Sequence, residues 1–323
     1  MTVPPVAGPP ARQDGAAVLA QTIWGVEFQN PILLASGTAG YGRELDGLLD
    51  IDALGGIVTK AVTPEPRNGN PPMRAAEYDA GMLNSVGLAN VGLDAFRAEK
   101  LPWLRQRLRR ARVLVNVAGR TVEDYVQVIR TLDDDDGFVG YELNVSCPNV
   151  KEGGAVFCMR SELLQEVVSA ARAASERPLI VKLSPNLPDI GATAAVAVDA
   201  GADGVTLINT FPGLLFDVET GRSVLGAGTG GVSGPAVLPM GVHAVWQAHR
   251  RVDVPLMGVG GVRTGKDAVQ YLLAGASLVA VGTATFADPR AAERVVLGLN
   301  DYCARRHLPI GDVVGSGTVE GRI

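Results

Sequence analysis

Two lysines stand where the sequence is otherwise apolar: Lys60 in GGIVTKAV (55–62) and Lys182 in LIVKLSP (179–185). The chain holds 24 Arg but only 5 Lys, so it prefers arginine for a generic cation. A compact ammonium suits a point contact with a carbonyl or carboxylate, where a guanidinium fork does not fit. A snorkelling or salt-bridged lysine is the plainer alternative. Other polar residues share the same setting: Ser36 in PILLASG (31–37), Asn116 in RVLVNVAG (112–119), Asn144 in GYELNVSCP (140–148), and Asn209 with Thr210 in GVTLINTF (204–211). A buried polar group costs about 1–3 kcal/mol unless satisfied, so six such runs converging on one place imply a ligand. Cys147, just past Asn144, is the candidate for proton transfer; the alternative is a buried small hydrophobe. His243, His249 and His307 fall in helical segments away from these runs, so a Cys–His hydrolase or a histidine-ligated metal is not expected.

The elements that carry these residues alternate with little exception. The runs already named are joined by PLMGVGGV (255–262) and LVAVGTATF (278–286). Their near-continuous Val, Ile and Leu content is the signature of parallel strands buried on both faces. Segments of helical period fill the gaps, around 92–110, 121–132, 160–175, 188–200, 234–250, 264–275 and 288–305. Thr264 serves as N-cap of one of them, with Asp267 in its first turn. Eight such units predict an α/β fold, a single-domain (β/α)8 TIM barrel, over 21–310, with tails at 1–20 and 311–323. An open doubly wound sheet is the competing architecture, but it rarely runs to eight regular units.

In a barrel the chemistry belongs at the C-terminal ends of the strands, where all the polar residues above fall. Strands seven and eight add Gly258, Gly260, Gly261, Gly282 and Thr283, whose backbone could approach a phosphate; Gly230-Gly231 and Ser233-Gly234 could add donors. The segments 63–91, 148–160 and 212–233 are too long for simple connectors and are expected to be active-site loop insertions. Asp133–Asp136 is expected to be a solvated turn rather than a metal site.

Several classes are excluded. Gly260-x4-Gly265-Lys266 imitates a nucleotide-binding P-loop, but Asp267 stands where a hydroxyl is needed for magnesium. Gly226-x-Gly228-x-x-Gly231 has dinucleotide spacing but follows a polar stretch instead of a buried strand. The net charge of −5 leaves no basic surplus for nucleic acid. No run is long enough to cross a bilayer, and the Pro/Gly-rich start lacks the pattern of a signal peptide. Cys147, Cys158 and Cys303 are too dispersed for a disulfide framework, a zinc site or an iron–sulfur cluster. A cytoplasmic protein is the expectation.

The chain closely resembles the class 1 dihydroorotate dehydrogenases over about residues 21–310. The resemblance rests on NPILLASGTAGYG (30–42), GGIVTKAVTPEPRNGNPPMR (55–74), GMLNSVGLANVG (81–92), ELNVSCPNVKEGG (142–154), VKLSPN (181–186), INTF (208–211), GGVSGPA (230–236), GVGGV (258–262) and AVGTATF (280–286). Membrane-associated class 2 enzymes are similar but place Ser where this chain has Cys147. The resemblance implies one FMN per chain, held by Ser36, Lys60, Ala61, Asn116, Asn144, Lys182, Ile208, Gly234, Gly260, Gly261, Gly282 and Thr283. It implies dihydroorotate on Lys60, Asn84, Ser85, Val86, Gly87, Leu88, Asn144, Asn209 and Thr210. Cys147 would take the C5 proton while the C6 hydride passes to the flavin.

Within class 1, GMLNSVGLANVG and NVKEGG look most like the NAD-linked 1B catalytic subunit, with the fumarate-using 1A subtype the alternative. A 1B subunit works with a partner that carries FAD and a 2Fe–2S cluster, around a homodimer core or as a heterotetramer. The absence here of a Rossmann fingerprint and of a cysteine cluster fits that division of labour. Three further readings stand beside it: a related dihydropyrimidine-oxidising flavoenzyme, a phosphate-binding barrel lyase or isomerase without flavin, and a catalytically silent docking subunit.

Overall fold

The computed structural model of the chain describes residues 18–146 and 157–320. Fourteen strands are numbered in chain order. Eight of them close a parallel barrel: β3 (Ile32–Leu34), β4 (Gly56–Val58), β7 (Arg112–Val117), β8 (Gly140–Asn144), β9 (Leu179–Lys182), β10 (Gly204–Leu207), β13 (Leu256–Val259) and β14 (Ala276–Val281). Pairing runs in that order and returns from β14 to β3 through Ala280 opposite Leu33. The expected (β/α)8 barrel is therefore the observed one.

The apolar runs owe their continuity to two separate cores, because successive side chains of a strand point to opposite faces. Ile57, Val113, Val115, Leu143, Val181 and Val205 pack outward against the helices. Leu33, Val58, Leu114, Ile180, Met257 and Leu278 fill the interior. A hairpin of β1 (Gln21–Ile23) and β2 (Val26–Phe28) closes that interior from below with Ile23 and Phe28. Trp24 in its turn donates from Nε1 to the Asp203 carbonyl at 2.7 Å. Two residues beyond the interior layer, the same alternation turns polar: Lys60 follows Val58, Asn116 follows Leu114, and Lys182 follows Ile180.

The helices fall where the periodicity places them. Val122–Leu132 buries Tyr125, Val128, Ile129 and Leu132 along one stripe, and Thr121 caps it by accepting from the Asp124 N–H. Gly265–Leu273 begins with the expected Thr264 cap, completed by Asp267 into a reciprocal capping box. Asp267 thus has a structural task at the position that spoils the P-loop pattern.

The structure adds detail at two places. The insertions 63–91 and 212–233 are not merely loops: β5 (Ala75–Tyr78), β6 (Gly81–Asn84), β11 (Phe211–Gly213) and β12 (Gly230–Ser233) form an antiparallel sheet in the order β11-β12-β6-β5. The C-terminal tail expected over 311–323 is anchored on the barrel at residues 313–317. Val313 is buried in the outer core, and the Gly315 and Gly317 N–H groups donate to the Leu272 and Leu273 carbonyls at 2.9 and 3.0 Å. Apolar anchoring and backbone pairing hold this segment on the barrel. The Asp133–Asp136 run behaves as a salted surface turn: Asp135 accepts from Arg97 at 2.7 Å and Asp133 meets Arg177 at 3.6 Å. No group of acidic, histidine or cysteine side chains suited to a metal occurs among the described residues.

Candidate active site

All eight barrel strands deliver residues to one cavity of about 500 Å³ at their C-terminal ends. In barrel order the wall holds Ser36, Lys60 with Ala61, Asn116, Asn144, Lys182, Ile208, Gly260 with Gly261, and Gly282 with Thr283. The antiparallel sheet supplies the opposite wall through Met82, Asn84, Val232 and Ser233. Val86, Gly87, Leu88, Asn209, Thr210 and Gly234 complete the named candidates that border it. Every expected cofactor residue and every expected substrate residue but one therefore borders this space.

The exception is Ser85, which is buried outside the lining. Its hydroxyl accepts from Asn70 Nδ2 at 2.7 Å and its N–H donates to the Arg74 carbonyl at 2.8 Å. As a neighbour of cavity-lining Asn84 and Val86, Ser85 stitches the loop together instead of facing the ligand space. The catalytic candidate Cys147 lies outside the described residues, as do 148–156.

The polar groups are held in a fixed arrangement. Lys182 is 7% exposed, and its Nζ donates to Ser36 Oγ across the barrel at 3.2 Å. A buried cation whose described partner is a neutral hydroxyl is suited to an electron-rich ligand atom. Lys60 is half-buried at the other side of the mouth. Burial pushes its ammonium below the usual lysine range, Glu44 opposes that shift, and Arg74 adds to it. Asn209 donates from Nδ2 to Ser146 Oγ at 2.8 Å, and Ser146 donates in turn to Asn144 Oδ1 at 3.4 Å. The two asparagines are thereby oriented through a residue that the strand-end reading did not single out.

Asn116 is wholly buried; its Nδ2 donates to Glu142 Oε1 at 2.7 Å, while its Oδ1 has no partner among the described residues. An orphaned acceptor on a cavity wall fits an occupant that brings a donor. At the glycine side, Gly260 and Gly261 have φ of 126° and 74°, which an L side chain rarely adopts. The short helix Ala284–Ala287 starts beside them with no side-chain cap, and Thr283 Oγ1 donates to Ser233 Oγ at 2.8 Å. Arg263 also borders the cavity. Sequence reasoning passed over it, although it follows directly on the GVGGV run and so sits in the loop after strand seven.

The remaining cysteines are inert by environment. Cys158 and Cys303 are buried, and burial pushes both thiols up.

A closed parallel barrel with lysines, amides and flexible glycines gathered on one mouth cavity defines a ligand-binding barrel of the enzyme type. Residues 18–302 match the family described as Dihydroorotate dehydrogenase, and the chain belongs to that family. It is 52% identical over 299 residues to a Solibacter usitatus (strain Ellin6076) protein provisionally named dihydroorotate dehydrogenase A (fumarate), covering 92% of this chain and 98% of that one. It is 44% identical over 293 residues to the catalytic subunit of dihydroorotate dehydrogenase B (NAD(+)) from Geobacter sp. (strain M21), covering 90% and 95%. The same-named subunit of Alkaliphilus metalliredigens (strain QYMF) is 48% identical over 280 residues, covering 87% and 92%. Among solved structures, the DHODH of Eimeria tenella in complex with ferulenol superposes with a TM-score of 0.78 over 95% of this chain and 90% of that one. At 24% identity that likeness speaks for the fold alone.

Proposed function

We propose that the chain oxidises (S)-dihydroorotate to orotate in pyrimidine biosynthesis, using one bound FMN. The observation that carries this reading is the meeting of all eight strand ends on one cavity with an orphaned acceptor and a buried cation. That donor set fits an oxidised flavin, which offers acceptors along one ring edge and a single ring N–H donor. FMN, when bound, supplies the acceptor for the C6 hydride of dihydroorotate.

The chain's own residues would divide the remaining work. Lys182 would donate to the flavin ring and stabilise negative charge there. Asn116 would accept from it. Gly234, Gly260, Gly261, Gly282 and Thr283 would let backbone N–H groups reach the phosphate, with Arg263 as a nearby cation. Lys60 would neutralise the orotate carboxylate, and Asn84, Asn144 and Asn209 would bind the ring amides. Cys147 would hold the base that removes the C5 proton, an assignment resting on its place in the sequence.

The proposed acceptor is NAD, reached through a partner subunit that carries FAD and a 2Fe–2S cluster. The fumarate-linked name of the Solibacter relative favours a second reading, in which fumarate takes the electrons at this same site. The purified chain, supplied with dihydroorotate, is assayed with an artificial dye, NAD and fumarate. The NAD-linked reading expects dye reduction, poor NAD reduction, and recovery of NAD reduction when the flavin–iron partner is added. Rapid NAD reduction by this chain alone contradicts the two-subunit arrangement, and efficient turnover with fumarate establishes the second reading.

A further inference from the structure

Beneath the cavity lies an acid that the proposed mechanism does not use. Glu142 on β8 is 1% exposed and sits inside the barrel. It is paired in register with Asn116 of β7. Its carboxylate accepts from Asn116 Nδ2 at 2.7 Å and from Thr206 Oγ1 on β10 at 2.9 Å, both neutral donors. Burying a carboxylate is costly, so an acid kept here without a cation calls for a reason beyond filling space.

The reason lies in what Glu142 does to its neighbour. The Asn116 backbone is already committed: its N–H donates to Thr59 Oγ1 at 3.2 Å and its carbonyl accepts from the Val62 N–H at 2.8 Å. Its side-chain amide has two ends of nearly equal shape, one donating and one accepting. With both oxygens accepting, one from Asn116 and one from Thr206, the Glu142 side chain admits the Nδ2 end alone. Oδ1 is then left on the far side of the amide, without a partner among the described residues, on a residue that borders the cavity. We propose that Glu142 is a positioning residue of the cofactor site, its buried carboxylate fixing the Asn116 amide so that Oδ1 is presented as an acceptor to the cavity's occupant. Thr206 completes the device by holding the second carboxylate oxygen. A glutamine in place of Glu142 could still accept from Asn116 but could also donate, which would allow the amide both orientations.

The inference rests on the FMN reading, and the test separates the two. Protein freed of flavin is titrated with FMN, followed by quenching of flavin fluorescence, for the parent, E142Q, E142L, N116A and the double variant E142L/N116A. Melting of each flavin-free protein reports whether it is folded. The proposal expects E142L to raise the FMN Kd by roughly 10- to 100-fold, the penalty of a mis-set buried hydrogen bond. E142Q should raise it by less than about 5-fold, and N116A by about as much as E142L. The double variant should bind within about 2-fold of N116A, because Glu142 acts through Asn116 and the two losses do not multiply. E142L binding as tightly as the parent overturns the proposal, and so do equal losses in E142Q and E142L or multiplied losses in the double variant. If E142L alone does not fold, the double variant, which removes both halves of the bond, carries the comparison with N116A. A parent that takes up no FMN overturns the cofactor reading itself, and the role of Glu142 with it.

Discussion

At the scale of single residues, the account turns on Cys147 and Lys60. A thiol with a reference pKa near 8.5 is a few per cent thiolate at neutral pH, whereas a hydroxyl has almost no basic form there. Cys147→Ser is therefore expected to keep the yellow colour and orotate binding while slowing flavin reduction by dihydroorotate by about two to four decades. That corresponds to roughly 3–5 kcal/mol of barrier. Stopped-flow bleaching of the flavin measures it, and a Ser variant within a few-fold of the parent rate removes the assignment. Lys60 is an ammonium whose pKa burial depresses. Between that depressed value and the ordinary one near 10.4, the unfolded chain binds the extra proton, so this group makes stability rise with pH across that window. Below the window the buried charge opposes folding. Lys60→Met should then melt at the parent's temperature or higher at neutral pH, yet lose at least about tenfold in orotate affinity, within the usual loss for a buried charge pair. Scanning fluorimetry and orotate-induced difference spectra check both halves; a lower melting temperature with unchanged orotate affinity contradicts them. These positions were legible because a lone Lys or Asn in a Val/Ile/Leu run has few structural explanations. Ser85 stands apart from its neighbours Asn84 and Val86 because its run alternates, and its hydroxyl meets Asn70.

At the scale of elements, the glycines of the mouth are not interchangeable. A Cβ on Gly261 would stand 2.7 Å from the Leu238 backbone nitrogen, at a φ of 74°. Gly261→Val is expected to damage the fold, so lost flavin in that variant would say nothing about a phosphate. A Cβ on Gly282 meets nothing nearer than the Ala35 Cβ at 3.5 Å and the Thr38 Cγ2 at 3.8 Å, both on cavity-lining residues. Gly282→Val should purify folded and nearly colourless, with melting and flavin absorbance as the two readouts. A folded, fully yellow Gly282→Val protein would remove Gly282 from the cofactor wall. The eight strands and their helices were readable because burial on both faces leaves an unmistakable apolar run, and the TGKD start of Gly265–Leu273 spells its own cap. The antiparallel sheet was not. Its strands AAEY, GMLN, FPG and GGVS are short, only partly apolar, and paired across long gaps, as in Asn84 with Gly231. The floor hairpin was missed as well, because it turns at Trp24-Gly25 with φ of 54° and 72°, without the Asn-Gly or Asp-Gly that marks such turns.

At the scale of the whole molecule, one alternation serves both stability and chemistry. Interior side chains are apolar at the floor, where the β1–β2 hairpin seals them, and become Lys and Asn two residues further along the same strands. The same periodicity that closes the barrel thus places the polar groups in a ring at its open end. Sequence alone exposed the ring but not its internal bonding: Glu142 beside Asn116, and Ser146 between Asn144 and Asn209, depend on which strands become neighbours. The central claim is that this ring holds a flavin that dihydroorotate reduces. Its most direct test is an anaerobic titration of the purified protein with dihydroorotate, following the visible flavin band together with orotate release. The account predicts a yellow protein whose band bleaches to completion, with one orotate formed for each flavin reduced. A colourless protein, or a yellow one that keeps its band and forms no orotate, would contradict it.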